Sequence, residues 1–324
     1  MLIPVLLFIV GLVLLIKGGD WFVDGATGIA HRFHIPEILI GATVVSIGTT
    51  LPEVMVSAGA ALGGHGEIAY GNAIGSIICN TSLIAALTIA IKPSKVSRKP
   101  LALSVTFFYI AAIIYSLVAY LSGHFSRAIG IVLLSIFVIY MIISVIMAKK
   151  NINAEAPSDD AESDEKASPL WKEIVLLVVG AAIIAIGADL LVDNGTIIAQ
   201  MLGVPEAVIA LTFVALGTSL PELVTAITSL AKGHGALSLG NIIGANMFNL
   251  VLVSGVSVAL SPFSIPSNSQ LAGYNTSLIV DIPVMFAVMS IMVIPALIRG
   301  KLSRVQGILL LAIYAAFCIF QFTL

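Results

Sequence analysis

The chain has 324 residues, of which 59% are hydrophobic and only 10% charged, with a formal net charge of −2. Soluble domains carry about a quarter charged residues, so this composition excludes a soluble globular protein and places the chain in a membrane. The two cysteines, Cys79 and Cys318, fall in apolar runs as small buried hydrophobes, and no paired-cysteine or Cys/His metal pattern accompanies them.

A helix needs about 20 apolar residues to cross a bilayer. In chain order, ten segments meet that requirement: roughly 2–19, 35–62, 68–91, 101–121, 127–148, 171–191, 205–231, 237–260, 278–298 and 305–323. An outer-membrane barrel would show alternating segments of about ten residues instead. The expected fold class is therefore all-α integral membrane, with ten transmembrane helices. No basic residue precedes the first segment, which makes it a poor signal peptide.

The placement of charge adds orientation. Of the fifteen Lys and Arg residues, only Arg127 lies in an even-numbered loop. The others, among them Lys17, Arg32, Lys92, Arg98, Lys149, Lys172, Lys232, Arg299 and Arg304, follow odd-numbered helices or flank the central loop. The positive-inside rule makes the odd loops cytoplasmic and both termini external. The expected location is the cell's inner (plasma) membrane, with multiple passes.

Residues 151–168 form a polar, acidic stretch with too little apolar content to fold alone, read as a cytoplasmic linker. It separates residues 1–150 from residues 169–324, and the two parts match. An offset of 169 lays Pro36–Asn80 on Pro205–Asn249 without a gap, and eighteen of those 45 positions are identical. Asp20, Val23 and Asp24 fall on Asp189, Val192 and Asp193. Each part holds five segments, an odd number, so the second enters from the opposite side. Inverted repeats of this kind organise secondary transporters, whose sites lie near the midplane on broken helices.

The most informative residues are Glu53 and Glu222, at the ends of Gly48-Thr49-Thr50-Leu51-Pro52-Glu53 and Gly217-Thr218-Ser219-Leu220-Pro221-Glu222. A carboxylate inside the hydrocarbon region costs several kcal/mol unless it is compensated, and no Lys or Arg shares either segment's interior. Each lies about 15 Å from its segment's end at 1.5 Å per residue, near the centre of a bilayer core of about 30 Å. The inverted pairing predicts that they are neighbours and hold a cation. Pro52 and Pro221 should break their helices and free the carbonyls of Gly48 and Gly217 together with those of Ser46 and Ala215. Thr49, Thr50, Thr218 and Ser219 add hydroxyls. In the following helices Asn72, Ser76 and Asn80, and then Asn241, Ala245 and Asn249, recur every four residues on one face. Gly71 and Gly75, like Gly240 and Gly244, suggest close helix contact. All these donors are hard oxygens, suited to Na⁺ or Ca²⁺ rather than zinc or copper.

The duplicated Gly-Thr-[Ser/Thr]-Leu-Pro-Glu motif, each copy followed by Gly-Asn-x-x-Gly, resembles the α-repeats of the cation/calcium exchanger superfamily, at 43–80 and 212–249. The chain looks like a prokaryotic sodium/calcium exchanger over essentially its whole length. The resemblance implies antiport by alternating access, with helices one and six sliding against the other eight. It implies four central ligands, Glu53, Asn80, Glu222 and Asn249, with calcium also on backbone oxygens of Thr49 and Thr218. It implies one sodium site at Glu222, Ser219, Ser76 and the Ala215 carbonyl, and a mirror site at Glu53, Thr50, the Ser46 carbonyl and residue 245. Position 245 is Ala, so the mirror site lacks a hydroxyl.

On that reading Ca²⁺ and Na⁺ are transported substrates and the protein needs no cofactor. Its partners are these ions and the lipid bilayer, with no nucleic acid and no obligatory protein partner. H⁺/Ca²⁺ exchange, K⁺-dependent Na⁺/Ca²⁺ exchange and a cation channel stay open as alternatives. No His-Glu-x-x-His, Ser/Lys dyad or paired-Asp motif supports an intramembrane enzyme.

Overall fold

The computed structural model describes residues 2–93, 95–154, 169–202, 217–266, 270–271 and 273–323. Its helices are α1 Leu2–Arg32, α2 Glu37–Leu62, α3 Gly66–Ile91, α4 Arg98–Leu121, α5 Arg127–Ala154, α6 Leu170–Met201, α7 Leu220–Ala231, α8 Gly235–Leu260, α9 Ser277–Arg299 and α10 Arg304–Thr323. Among the described residues, nine helices have the length and apolarity to cross a membrane, and α7 is shorter. The fold is all-α and membrane-embedded, as the sequence predicts. Among the described residues, four two-residue strands are the exceptions. His124–Phe125 pairs with Phe263–Ser264, and Gln270–Leu271 pairs with Tyr274–Asn275.

Several boundaries differ from the sequence expectation. The first apolar segment was expected to stop at residue 19, which would put Asp20 and Asp24 near a helix end. α1 continues to Arg32, and α6 likewise runs past Asp189 and Asp193. The apolar pattern stops before the helix does: at Asp20 and Asp24 α1 turns acidic, and the two carboxylates meet Lys232, the C-cap of α7, with Nζ 3.5 Å and 2.7 Å away. α5 runs through Asn151–Ala154, so the linker's first four residues are helical, and 155–168 lie outside the described residues.

Two compact units make up the chain. The first holds residues 1–48 and 140–241. Its core joins α1 and α6 through Leu15, Phe22, Val23, Ala26, Ile184 and Ala188. The two helices run antiparallel with glycine set against glycine. A Cβ added at Gly11 would stand 2.9 Å from the Gly187 carbonyl, and one at Gly18 would stand 3.0 Å from the Gly180 carbonyl. Under the 169-residue offset Gly11 is the counterpart of Gly180 and Gly18 of Gly187. Each glycine therefore meets the counterpart of the other, which is the local two-fold relation that inverted repeats produce. Small residues of this kind let backbones approach in a medium that offers no hydrophobic drive for helix association. In the same unit Gly41 packs against the Leu237 carbonyl and Gly240 against the Ile38 carbonyl, closing α2 on α8. Arg32 Nε meets Glu173 Oε2 at 3.2 Å, tying the end of α1 to the start of α6.

The second unit holds residues 49–139 and 242–324. One end is closed by an aromatic group: Phe125 lies 4.5 Å from Tyr115, 6.3 Å from Tyr70 and 5.9 Å from Phe263, ring centre to ring centre. Elsewhere in the unit the α3–α4 and α9–α10 loops meet, with a bridge between Lys95 and Lys301 and a Val96 N–H donating to the Gly300 carbonyl at 2.9 Å.

Candidate functional site

The two Pro-Glu motifs fold differently. Pro52 was expected to break its helix, but Ser46–Leu62 is continuous through it. Proline's φ is itself helical and its missing N–H removes only one bond. The irregularity falls earlier, at a π-helical turn over Gly41–Val45. Pro221 instead stands in the first turn of α7, with Ser219 as its N-cap and residues 218–219 in a turn. Glu222 therefore occupies the first turn of a helix, where the unpaired N–H groups favour negative charge. Glu53, in mid-helix, has no such support. Both side chains are 0% exposed.

In the second unit, Glu53, Thr49 and Thr50 lie buried on α2, Ser76 and Asn80 on α3, and Asn249 on α8. Asn72 Nδ2 donates to Ser57 Oγ at 2.8 Å and reaches the Glu53 carbonyl at 3.5 Å. It thereby fixes the Glu53 turn against α3, a structural role. Asn80 and Asn249 share a feature that the sequence does not announce. Each is the first residue of a π-helical turn, Asn80–Ala85 and Asn249–Val253. π turns widen the helix and leave backbone carbonyls out of the regular ladder, which is why they recur at functional sites. Both asparagines are fully buried, and among the described residues neither amide nitrogen nor amide oxygen has a hydrogen-bond partner. Buried polar groups are nearly always satisfied, so these two amides stand out among the buried polar side chains.

In the first unit, Glu222 and Ser219 are buried and Thr218 is half-buried. The Ser46 hydroxyl lies 2.8 Å from the Gly41 carbonyl and 2.9 Å from the Asn241 carbonyl. Asn241 is thereby tied to α2, as Asn72 is. Ala215 lies outside the described residues. Gly64 and Gly233, in the matching Gly-His-Gly segments, adopt φ of 85° and 89° and form turns. Gly71 and Gly75, expected at a close helix contact, have no described neighbour within 4 Å of an added Cβ. His234 Nδ1 sits 2.7 Å from Glu37 Oε1.

Buried carboxylates, amides and hydroxyls in a chain of membrane-spanning helices mark an ion-handling integral membrane protein. The chain belongs to the sodium/calcium exchanger protein family, whose model matches residues 3–146 and 172–323. It is 30% identical to the sodium/calcium exchanger MaX1 of Methanosarcina acetivorans, over 98% of both chains. It is 36% identical to the inner membrane protein YrbG of Escherichia coli, over 87% of both. Among solved structures it is similar to the sodium-calcium exchanger NCX_Mj soaked with 2.5 mM Na⁺ and 10 mM Sr²⁺, with a TM-score of 0.79, 33% identity and 97% of both chains covered.

Proposed function

We propose that this protein is a secondary antiporter that exchanges Na⁺ for Ca²⁺ across the membrane by alternating access. The observation that carries the reading is the duplicated, fully buried set Glu53, Asn80, Glu222 and Asn249 in a chain of the sodium/calcium exchanger family. Glu53 and Glu222 act on the same ion, with Asn80 and Asn249 as amide ligands and the backbone oxygens of Thr49 and Thr218 completing the calcium shell. Sodium takes Glu222, Ser219, Ser76 and the Ala215 carbonyl on one side, and Glu53, Thr50 and the Ser46 carbonyl on the other. The ions are the substrates, and the reading calls on no cofactor and no protein partner. The five-helix repeats are residues 1–150 and 169–324. The odd loops are cytoplasmic, both termini are external, and the membrane is the cell's inner membrane.

Charge explains why exchange is obligatory. Two carboxylates with no ion carry a charge of −2 in a low-dielectric interior, which is costly. One Ca²⁺ cancels that charge, as do two Na⁺. The loaded protein can then move its site across the hydrocarbon, and the ion-free protein is held back. Because both ions claim the same glutamates, they compete.

The test is ⁴⁵Ca²⁺ uptake in proteoliposomes under imposed Na⁺, K⁺ or pH gradients. Uptake should follow an outward Na⁺ gradient and stop in Glu53→Gln and in Glu222→Gln. Uptake driven by ΔpH alone would replace the reading with H⁺/Ca²⁺ exchange, a strict K⁺ requirement with the K⁺-dependent form, and flux without a counter-gradient with a channel.

A further inference from the structure

Behind Asn80 and Asn249 the second unit contains a buried polar chain that the repeat does not encode. Asn246 Nδ2 donates to Thr81 Oγ1 at 2.7 Å and lies 3.2 Å from Met289 Sδ. The Thr81 hydroxyl in turn donates toward Met289 Sδ at 3.3 Å. All three side chains are 0% exposed. Under the 169-residue offset, Asn246 falls on Ile77 and Thr81 on Leu250. The same helical positions are thus filled by aliphatic side chains in the other repeat. An amide there is a poor choice for stability, because the Asn246 Oδ1 oxygen has no partner among the described residues and is buried at a cost.

The location suggests what the amide is for. Thr81 follows Asn80 directly, inside the Asn80–Ala85 π turn. Asn246 precedes Asn249 by three residues, one turn away on the same helix and close to its face. The Thr81–Asn246 bond is therefore a strut from the π turn of α3 to the last regular turn of α8 before its own π turn begins. π turns are deformable, and a helix widened at its ligand residue needs an external tie to hold that residue within the few tenths of an ångström that ion size discrimination demands.

We propose that Asn246 and Thr81 are positioning residues that set the separation of Asn80 and Asn249 and thereby the divalent-ion size selectivity of the exchanger. The inference rests on the exchange reading above and on Asn80 and Asn249 as ligands. Met289 completes the strut by accepting the Thr81 proton, which leaves the Thr81 lone pairs directed at Asn246.

The experiment measures Na⁺-driven uptake of Ca²⁺ and Sr²⁺ in proteoliposomes for the wild type, Thr81→Val, Thr81→Ser, Asn246→Ala and the Thr81→Val/Asn246→Ala double variant. Thr81→Val is nearly isosteric and preserves packing, so the readout survives if Asn246→Ala fails to fold. The expected result is a change of at least about threefold in the ratio of KM for Sr²⁺ to KM for Ca²⁺ in Thr81→Val, the effect of losing one hydrogen bond. Thr81→Ser should keep the wild-type ratio, and the double variant should add nothing to Thr81→Val, the mark of a shared interaction. A Thr81→Val protein with reduced maximal rate and an unchanged KM ratio would overturn the proposal in favour of simple packing, and so would a Thr81→Ser protein that behaves like Thr81→Val. Absence of Na⁺-driven uptake in the wild type would instead sink the exchange reading itself.

Discussion

Asn80 and Asn249, 169 residues apart, stand at the same point of two different helices: each is the first residue of a π turn, and each buries an amide with no hydrogen-bond partner among the described residues. A side chain in that state does not serve stability. Its polar atoms are desolvated at a cost, which a bound ion offsets in the exchange reading proposed above.

Asn80→Leu and Asn249→Leu should accordingly separate stability from function. Replacing an unsatisfied buried amide by an aliphatic group of similar shape is neutral or stabilising, so the melting temperature in detergent should hold or rise. The KM for Ca²⁺ should rise by about tenfold or more, the ratio that a lost contact worth about 1.4 kcal/mol gives. A fall in melting temperature with unchanged KM would show the asparagines to be structural.

The glycine seam between α1 and α6 predicts a sharp steric response. A Cβ at Gly180 would lie 2.5 Å from the Phe22 backbone nitrogen, and backbone cannot yield as a flexible side chain does. Gly180→Ala should lower stability by about 1–3 kcal/mol, the usual cost of overpacking. Gly59→Ala is the control: it is helical, with no described neighbour within 4 Å of the added Cβ, and should be neutral or stabilising by roughly 0.5–1 kcal/mol. Thermal melts of the two variants decide the matter, and equal destabilisation would remove the seam from the account.

Lys232→Met tests whether the Lys232–Asp20–Asp24 contacts hold the first unit together. The ammonium is 27% exposed and Asp24 53% exposed, so solvent screens the pair. The expected loss is below about 1 kcal/mol, and the small difference should vanish at high salt. A large, salt-independent loss would mean that these carboxylates are left uncompensated at membrane depth.

Ala245→Ser restores the hydroxyl that Ser76 keeps in the other repeat. Position 245 is fully buried on α8, so an added oxygen has no solvent to face. The Na⁺ concentration for half-maximal exchange should fall by about fivefold, corresponding to about 1 kcal/mol from one added oxygen contact. An unchanged sodium activation curve would count against the mirror sodium site.

Much of the candidate site was legible in the chain because its signals are local or duplicated. The helix count follows from apolar runs, and the buried glutamates from a motif read twice. Four features were not legible. The π turns at Asn80 and Asn249 have no compositional mark, since a widened turn uses the same residues as a regular one. The continuity of α2 through Pro52 depends on neighbouring bonds that compensate for one lost donor. The helical course of α1 past its apolar run, to a carboxylate pair facing Lys232 more than 200 residues away, carries no mark in the local pattern. The Asn246–Thr81–Met289 chain joins three helices and breaks the repeat, so the offset that revealed everything else concealed it.

Apolar length, charge asymmetry and repetition are properties of the chain itself, and they alone determined that this is a ten-segment membrane protein with two acidic motifs in inverted register. Tertiary structure decided which polar groups are buried together and which helices are locked: the exchanged glycines of α1 and α6, the strut behind the two asparagines, and the different helical settings of Glu53 and Glu222. Those depend on where backbones come within van der Waals distance and where a donor finds its acceptor, and neither is a function of spacing along one strand of sequence.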